Sequence, residues 1–223
     1  QVYSKSIENA KLLSEKLDAY FTNDLTKLKS ADLIIVSIKD DAISIVLSQI
    51  KNTAVVHTSG SIGLNIFEDK FSNHGVFYPL QTFNKDVDMD VSEIPFCIEG
   101  NSLKFENKLV EIAKALSCNV VKMNSHQIKK LHIAAVFACN FSNHMYSIAY
   151  DMLEKNNIDF KILLPLIKKT ITNLEKENPR QVQTGPAKRK DIAVIQEHLD
   201  TIKEDEIRDL YHKISAHIIK YHE

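Results

Sequence analysis

Apolar and polar positions divide the chain into two parts. Up to residue 122, short apolar runs alternate with amphipathic segments. The run at 33–38 (LIIVSI) is continuously apolar and β-branched, as is typical of a parallel strand buried on both faces. Further strands are predicted at 2–3, 19–21, 53–57, 75–81, 95–99 and 119–122. The alternation of strands with helical segments predicts an α/β fold with a doubly wound parallel sheet.

The segment 124–157 is predicted to form one long helix. It contains neither glycine nor proline. Asn124 is a favourable N-cap, Gln127 completes a capping box, and Asn157 is a plausible stop. The helix is apolar around most of its circumference, so we expect it to be buried between layers. Further helices are predicted at 160–177, 186–200 and 205–222. The prediction is therefore a sheet domain at 1–122 and an all-helical domain at 123–223.

Polar side chains interrupt the long helix. At about 100° per residue, His132 and Asn143 share one stripe, and Asn140 lies beside it. Buried polar groups need hydrogen-bond partners or a ligand. One interpretation is a structural role, in which the histidine and the two amides bond to neighbouring helices. The other is a catalytic role for all three residues.

Composition excludes several function classes. The net charge of −1 gives no electrostatic footprint for nucleic acid or an anionic membrane. No apolar run approaches the roughly 20 residues of a membrane span. The three cysteines lack CxxC spacing and indicate reduced residues in a cytoplasmic protein. His132 and His144 are not supported by further ligands at metal-binding spacing, so no metal site is predicted.

Small and polar residues follow three of the predicted strands. In a doubly wound sheet, ligands bind where the strands end, and small hydroxyl residues allow close approach and hydrogen bonding. The alternative is that these are ordinary turn and cap residues. The three groups are Ser4-Lys5-Ser6, Ser37-Ile38-Lys39 and His57-Thr58-Ser59-Gly60-Ser61.

The glycine-rich turn of dinucleotide-binding proteins is absent from this sequence. The five glycines form no GxGxxG pattern. Either the protein does not bind a dinucleotide, or the first strand, loop and helix precede Gln1. The chain begins at a strand end without a methionine, so we expect a native start about 25–30 residues earlier, the size of most of a βαβ unit.

Six motifs resemble a bacterial family of Rossmann-like NADP oxidoreductases that have an uncharacterised helical C-terminal domain. That family is related to 6-phosphogluconate dehydrogenase, pyrroline-5-carboxylate reductase and ketopantoate reductase. Its members carry a GxGN-type turn near their start, which this sequence lacks. The motifs are VYSKS (2–6), SIKDDAI (37–43), VVHTSGS (55–61), GVFYPLQTF (75–83), LHIAAVFACNFSNH (131–144) and QTGPAKRKD (183–191).

The resemblance implies an NADP site at the strand ends. Lys5 between two serines would suit a 2′-phosphate, whereas an acidic residue would suit a free 2′-hydroxyl. The implied cofactor-binding residues are Ser4, Lys5, Ser6, Ser37, Ile38, Lys39, His57, Thr58, Ser59 and Gly60. The implied substrate-binding residues are Ser61, Tyr78, Gln81, Gly185, Pro186 and Arg189. Pro186 suits the first turn of a helix, whose N-terminus beside Arg189 would attract an anion.

The sequence therefore predicts a cytoplasmic NADP-dependent oxidoreductase. It would transfer a hydride between NADPH and a small anionic carbonyl or imine substrate at an interdomain cleft, and it would dimerise through its helical half. His132 is the expected proton donor, because an unperturbed histidine titrates near pH 6.5. Two alternatives stay open: a non-catalytic NADP-binding or sensing protein, and a helical scaffold with a degenerate sheet.

Overall fold

The computed structural model describes residues 1–51, 54–68, 70–83 and 89–222. The chain forms two compact units, Gln1–Met145 and Tyr146–Glu223. The division into an NADP-binding domain up to residue 122 and a substrate and dimerisation domain after it stays a prediction.

The first unit contains two sheets within its described residues. Strand β1 (Val2–Tyr3) pairs in parallel with β2 (Phe21–Thr22), and α1 (Ile7–Leu17) connects them. The larger sheet has the order β3-β4-β5-β6-β7. Its strands are β3 (Ile34–Val36), β4 (Val55–His57), β5 (His74–Pro79), β6 (Phe96–Gly100) and β7 (Val120–Lys122). Helices α2 (Asp40–Leu47) and α3 (Leu103–Lys114) complete an α/β layer, which confirms the predicted fold class. The predicted residue Thr53 lies outside the described residues.

One strand pair departs from the predicted parallel sheet. Strands β3, β4 and β5 are parallel, but β6 runs antiparallel to β5, with Phe77 opposite Ile98. A parallel crossover needs a dozen or more residues, usually including a helix. The described residues between these strands, 80–83 and 89–95, form no helix. Strand β7 is parallel to β6, so it too runs against β3–β5.

The core of this unit covers both faces of the sheet. Because successive side chains of a strand point to opposite faces, Val55 and Val56 enter different clusters. Val56 packs with the α3 side of the core, which includes Phe77, Ile98, Phe105 and Leu109. Val55 packs with the α2 side, which includes Val36, Ile43, Leu47 and Phe67. Burial on both faces explains the uninterrupted apolar runs of the sequence.

The long helix forms where it was predicted, with one irregular turn. It comprises α4 (Ser125–Ala135), a π-helical segment (Val136–Phe141) and α5 (Ser142–Glu154). The capping box at Asn124 is present, and Asn157 adopts a left-handed conformation with φ 55° after the helix end. The expectation of burial was wrong. Ile128 is buried, but no residue of the π segment or α5 is. None of the described helices is long and apolar enough to cross a membrane.

The second unit is helical, as predicted. A short 3-10 turn (Phe160–Leu163) leads into α6 (Leu164–Leu174), followed by α7 (Pro179–Val182), α8 (Ile192–Thr201) and α9 (Asp205–Tyr221). The predicted helix start at Pro186 was wrong. Gly185 has φ 100° and Lys190 has φ 57°, so the chain between them forms a turn. Helix α8 begins only after Asp191, whose carboxylate accepts a bond from the Val194 N–H.

Candidate active-site cleft

A cleft of about 400 Å³ lies in the first unit, where β3, β4 and β5 end. Parallel strands present their carboxyl ends at one edge of a sheet, and ligands of doubly wound folds bind there. The lining comes from the end of β5, from the loops after these strands, from the start of α2 and from α4. It consists of Ser37, Asp40, Thr58, Ser59, Gly60, Ser61, Tyr78, Pro79, Gln81, Phe83 and His132. The cleft therefore brings together side chains that are far apart in the sequence.

The loop after β4 is held by its own hydrogen bonds. The Ser59 N–H donates to Nδ1 of His57 at 3.2 Å. The Ser59 hydroxyl accepts bonds from the backbone N–H groups of Ser61 at 3.0 Å and Ile62 at 3.3 Å. These bonds fix a tight loop and leave the Ser59 O–H able to donate elsewhere. The loop thus presents hydroxyls and backbone on a defined platform.

His57 lies behind this loop and does not line the cleft. It is fully buried and stacks on Phe67, with ring centroids 5.5 Å apart. Burial lowers its pKa to about 4, and the Gly63 backbone and the Asp40 charge only partly oppose this shift. Because Nδ1 accepts a bond, the neutral ring carries its proton on Nε2, which has no hydrogen-bond partner among the described residues. The Gly63 backbone is therefore near the ring without completing a hydrogen bond.

A tyrosine–histidine pair forms one wall of the cleft. The Tyr78 hydroxyl lies 3.0 Å from Nδ1 of His132, and the rings meet edge to face with centroids 5.9 Å apart. Tyr78 is 8% exposed, and burial raises the pKa of its phenol, with a smaller contribution from the Cys97 thiol. The phenol is therefore neutral over the physiological pH range. His132 is half-buried on α4, next to the space that the cleft encloses.

Gly60 packs directly against this pair. A Cβ atom at Gly60 would lie 2.6 Å from Cζ of Tyr78 and 3.0 Å from Cγ of His132. Contacts below 3.0 Å to a tyrosine ring require the ring to move. Glycine at this position therefore allows the loop, the phenol and the imidazole to meet.

Asp40 is a cleft residue that the sequence analysis missed. In the sequence, the Asp40-Asp41 dipeptide before an apolar run is typical of a helix cap. In the structure Lys39 is the N-cap, and it makes no capping bond through its side chain. Asp40 is the first residue of α2, where a carboxylate is favoured by the helix dipole, and it lines the cleft. The described lining contains no lysine or arginine, and Asp40 is its one acidic residue.

The structure brings together eight of the residues predicted for the site. These are Ser37, Thr58, Ser59, Gly60, Ser61, Tyr78, Gln81 and His132. Pro79 and Phe83 also line the cleft, and they are neighbours of predicted residues in the GVFYPLQTF motif.

The other predicted cofactor residues do not line this cleft. Ser4, Lys5 and Ser6 follow β1, in the smaller sheet. Ser6 caps α1 by accepting the Asn9 N–H, and its hydroxyl donates to Glu8. Lys5 is exposed. Ile38 and Lys39 are exposed beside Ser37 without lining the cleft, and His57 lies behind the loop.

The remaining predicted site residues lie outside the cleft lining. Asn140 and Asn143 are exposed and do not line the cleft. Gly185, Pro186 and Arg189 belong to the turn before α8 in the second unit. Arg189 is exposed there. The N-terminus of α8, six residues after Pro186, already holds the Asp191 carboxylate, so the predicted anion site at a helix N-terminus beginning with Pro186 is not formed.

A family model described as a domain of unknown function (DUF2520) matches residues 94–218. This match covers more than half of the chain. The chain belongs to the DUF2520 family. The match spans β6, β7 and nearly all of the helical region, whereas most of the cleft loops precede it. None of the curated proteins matches the chain.

The DUF2520 chain is also similar to solved structures, and this similarity includes the sheet that precedes residue 94. A "putative NADP oxidoreductase" from Bacteroides fragilis is 42% identical, with TM-score 0.92, over 99% of this chain and 88% of that one. A 1-pyrroline-5-carboxylate reductase from Streptococcus pyogenes is 14% identical, with TM-score 0.60, over 98% and 88%. An imine reductase from Myxococcus stipitatus, solved with NADP⁺, is 13% identical, with TM-score 0.60, over 98% and 82%. The two distant structures show the fold alone: a Rossmann-like sheet followed by a helical domain.

Proposed function

We propose that this protein is an NADP-dependent oxidoreductase that reduces a small carbonyl or imine substrate in the cleft. The observation that carries the proposal is the meeting of the loop after β4 with the Tyr78–His132 pair at the carboxyl edge of the sheet. The loop after β4 offers a surface for a nucleotide, and the Tyr78–His132 pair offers a group that exchanges protons. The name of the 42% identical structure supports the same function.

The residues present fit a nicotinamide dinucleotide. The hydroxyls of Thr58 and Ser59 and the bare backbone of Gly60 suit close approach by phosphate or ribose groups. Asp40 suits a ribose hydroxyl rather than a phosphate, because a carboxylate accepts hydrogen bonds and repels anions. NADPH, when bound, supplies the hydride. Lys5, exposed at the end of β1, is the residue proposed to hold the 2′-phosphate.

His132 is proposed as the proton donor. Reduction of a C=O or C=N bond requires a proton on the oxygen or nitrogen, and histidine is the side chain whose ordinary pKa lies closest to neutral pH. Its Nδ1 is held by Tyr78, which leaves Nε2 for exchange. Asn140 and Asn143 do not line the cleft, so the proton transfer is assigned to His132 alone.

The substrate group that enters the cleft is either anionic or neutral. The described lining carries the Asp40 carboxylate, the His132 imidazole and no lysine or arginine. An anionic group would therefore need a positively charged His132 or a cation from outside this lining. Carbonyl and imine probes with and without a carboxylate separate the two possibilities. Butanal, glyoxylate, 2-methyl-1-pyrroline and 1-pyrroline-2-carboxylate form such a set.

Two measurements test the proposed function. NADPH binding is measured by fluorescence titration, and turnover is measured by the loss of NADPH absorbance with each of the four probes. Binding together with turnover of at least one probe is expected. Tight binding with no turnover would favour the alternative, a non-catalytic NADP-binding or sensing protein. Absence of NADPH binding would reject both functions.

We also propose that the protein is a homodimer joined through its helical half. Within the described residues of the second unit, the buried hydrophobic side chains are Ala187, Ile195 and Ile202. Large apolar side chains remain exposed along α6 and the turn before it, namely Ile162, Leu164, Leu166, Ile171 and Leu174. An apolar surface of this extent on a small unit is typical of a protein–protein interface.

A further inference from the structure

We propose that Tyr78 and Gly60 are positioning residues for His132. The Tyr78 hydroxyl holds Nδ1, so that Nε2 of the same ring exchanges protons with whatever occupies the cleft. Gly60 leaves the space in which the two rings meet. The role in turnover rests on the proposed function, whereas the hydrogen bond and its effect on the imidazole do not.

The elements that carry the pair are rigidly held. Tyr78 lies on β5, which is bonded to β4 on one side and to β6 on the other. The side chain is buried up to its hydroxyl, which reaches Nδ1 of His132 at 3.0 Å. The helix that bears His132 starts at a closed capping box. Strand and helix thus fix both ends of one hydrogen bond.

A hydroxyl suits this role because it can both donate and accept. It donates to Nδ1 when the neutral ring carries its proton on Nε2, and it accepts from Nδ1–H in the imidazolium and in the neutral tautomer protonated on Nδ1. The ring therefore keeps the same orientation in both protonation states. A carboxylate could only accept, and it would favour the charged ring. Burial raises the pKa of Tyr78, so the phenol keeps its own proton in both protonation states of the ring.

In the proposed reaction, Nε2 of His132 gives one proton to the substrate and later regains one. The Nε2–H bond of the imidazolium breaks as an O–H or N–H bond forms on the substrate atom. The neutral ring left behind keeps Nδ1–H, which donates to the Tyr78 oxygen, and Nε2 then regains a proton from water. The electron pair for the reduced carbon is that of the hydride from NADPH. Tyr78 gains and loses no proton overall.

The helical unit contains a second pair of the same kind that serves as a matched control. The Tyr211 hydroxyl lies 2.7 Å from Nδ1 of His198, and the rings meet at 70° with centroids 5.7 Å apart. This pair lies on the surface between α8 and α9, and His198 is exposed. It has the chemistry of the Tyr78–His132 pair without the cleft.

The first test uses the protein without cofactor. Ring ¹⁵N chemical shifts of the histidines are recorded for wild type, Tyr78→Phe and Tyr211→Phe. We expect Tyr78→Phe to shift the Nδ1 resonance of His132 and to leave that of His198 unchanged. Tyr211→Phe should do the reverse. Unchanged His132 resonances in Tyr78→Phe would overturn the inference, because the hydrogen bond would then be absent in solution.

The second test separates positioning from binding. With NADPH and the probe that wild type reduces, Tyr78→Phe should lower kcat at least tenfold, while NADPH affinity stays within twofold. Gly60→Ala should also lower kcat and should displace the His132 resonances, because the new methyl group meets both rings. Tyr211→Phe should match wild type. Equal losses of kcat and NADPH affinity in Tyr78→Phe would make it a binding residue and overturn the inference. A wild-type chain that reduces no probe rejects the proposed function itself, whatever the spectra show.

Discussion

At the residue scale, His57 shows how a polar side chain can serve the site without touching a ligand. It is buried, neutral and bonded through Nδ1 to the loop that lines the cleft. Burial in apolar surroundings disfavours the charged ring, which is why its pKa falls to about 4 from 6.5. The loop therefore depends on a histidine that must stay unprotonated.

This dependence predicts a loss of stability in acid. The folded-state pKa is the lower one, so between pH 6.5 and 4 the unfolded chain binds more protons. The contribution of His57 to the free energy of unfolding is complete above pH 6.5. It is lost as the pH drops towards 4, and the loss is about 3 kcal/mol at most. We expect wild type to lose roughly 2–3 kcal/mol more than His57→Asn between pH 7 and 4.5, measured by urea unfolding. Parallel pH profiles for the two proteins would contradict this prediction.

Lys5 is the residue proposed to carry a preference for NADP over NAD. A lysine–phosphate contact is charge-assisted and contributes about 1.5–3 kcal/mol, towards the low end here because Lys5 is exposed. We expect Lys5→Ala to weaken NADPH binding about tenfold and to leave NADH binding nearly unchanged, by fluorescence titration. Lys11→Ala, an exposed lysine of α1 paired with Glu15, is the control. A similar loss for both cofactors would reject the assignment.

At the scale of elements, the start of the long helix is set by its capping box. Asn124 accepts the Gln127 N–H, and the Gln127 side chain accepts the Asn124 N–H. Replacing a capping asparagine by alanine costs about 1 kcal/mol. We expect Asn124→Ala to lower the free energy of unfolding by about that amount, measured in urea. Gln127→Ala removes only the return bond and should cost less. A larger loss for Gln127→Ala than for Asn124→Ala would contradict this prediction, because the Asn124 side chain would then not be the main cap.

The sequence predicted the strands of the sheet because burial on both faces leaves continuous apolar runs. It also predicted which strand ends meet, since parallel strands share a carboxyl edge. It did not predict the Tyr78–His132 contact, which joins residues 54 positions apart. That contact depends on how α4 is rotated against the sheet. Asp40 was not predicted as a cleft residue, because the start of a helix is uncertain by about one residue. As an N-cap, Asp40 would use its carboxylate to cap α2, whereas as the first helical residue it lines the cleft.

The π segment explains why Asn143 left the predicted stripe. A uniform α-helix advances about 100° per residue, which brings residue 143 to the same face as residue 132. The segment Val136–Phe141 is wound more loosely, and a π turn holds about one residue more than an α turn. Every residue after it is therefore rotated by about 100° from its predicted position. Sequence periodicity gave no sign of this, because the segment contains no glycine or proline.

At the scale of the whole molecule, the exposed apolar surface of α6 predicts assembly. Leu166 is 65% exposed, and burying a leucine side chain contributes about 1.5–3 kcal/mol. We expect wild type to elute as a dimer in size-exclusion chromatography with light scattering. Leu166→Glu should weaken the dimer at least about tenfold, because a charge would be buried in each copy.

Thr172→Glu is the control for this change. It adds the same charge to the same helix at an exposed position about 120° from Leu166 around the axis, and it should leave the dimer intact. A monomeric wild type, or equal effects of the two variants, would contradict assembly through this face.

The reversal between β5 and β6 decides what kind of group the long helix offers to the cleft. Because β6 and β7 run against β3–β5, the chain leaves β7 at the edge opposite the cleft, and α4 starts there. Its positive end, which attracts anions, is therefore directed away from the cleft. The helix reaches the cleft only two turns later, at His132. The direction of one strand thus decides that the helix presents a side chain to the cleft and not the partial charge of its N-terminus.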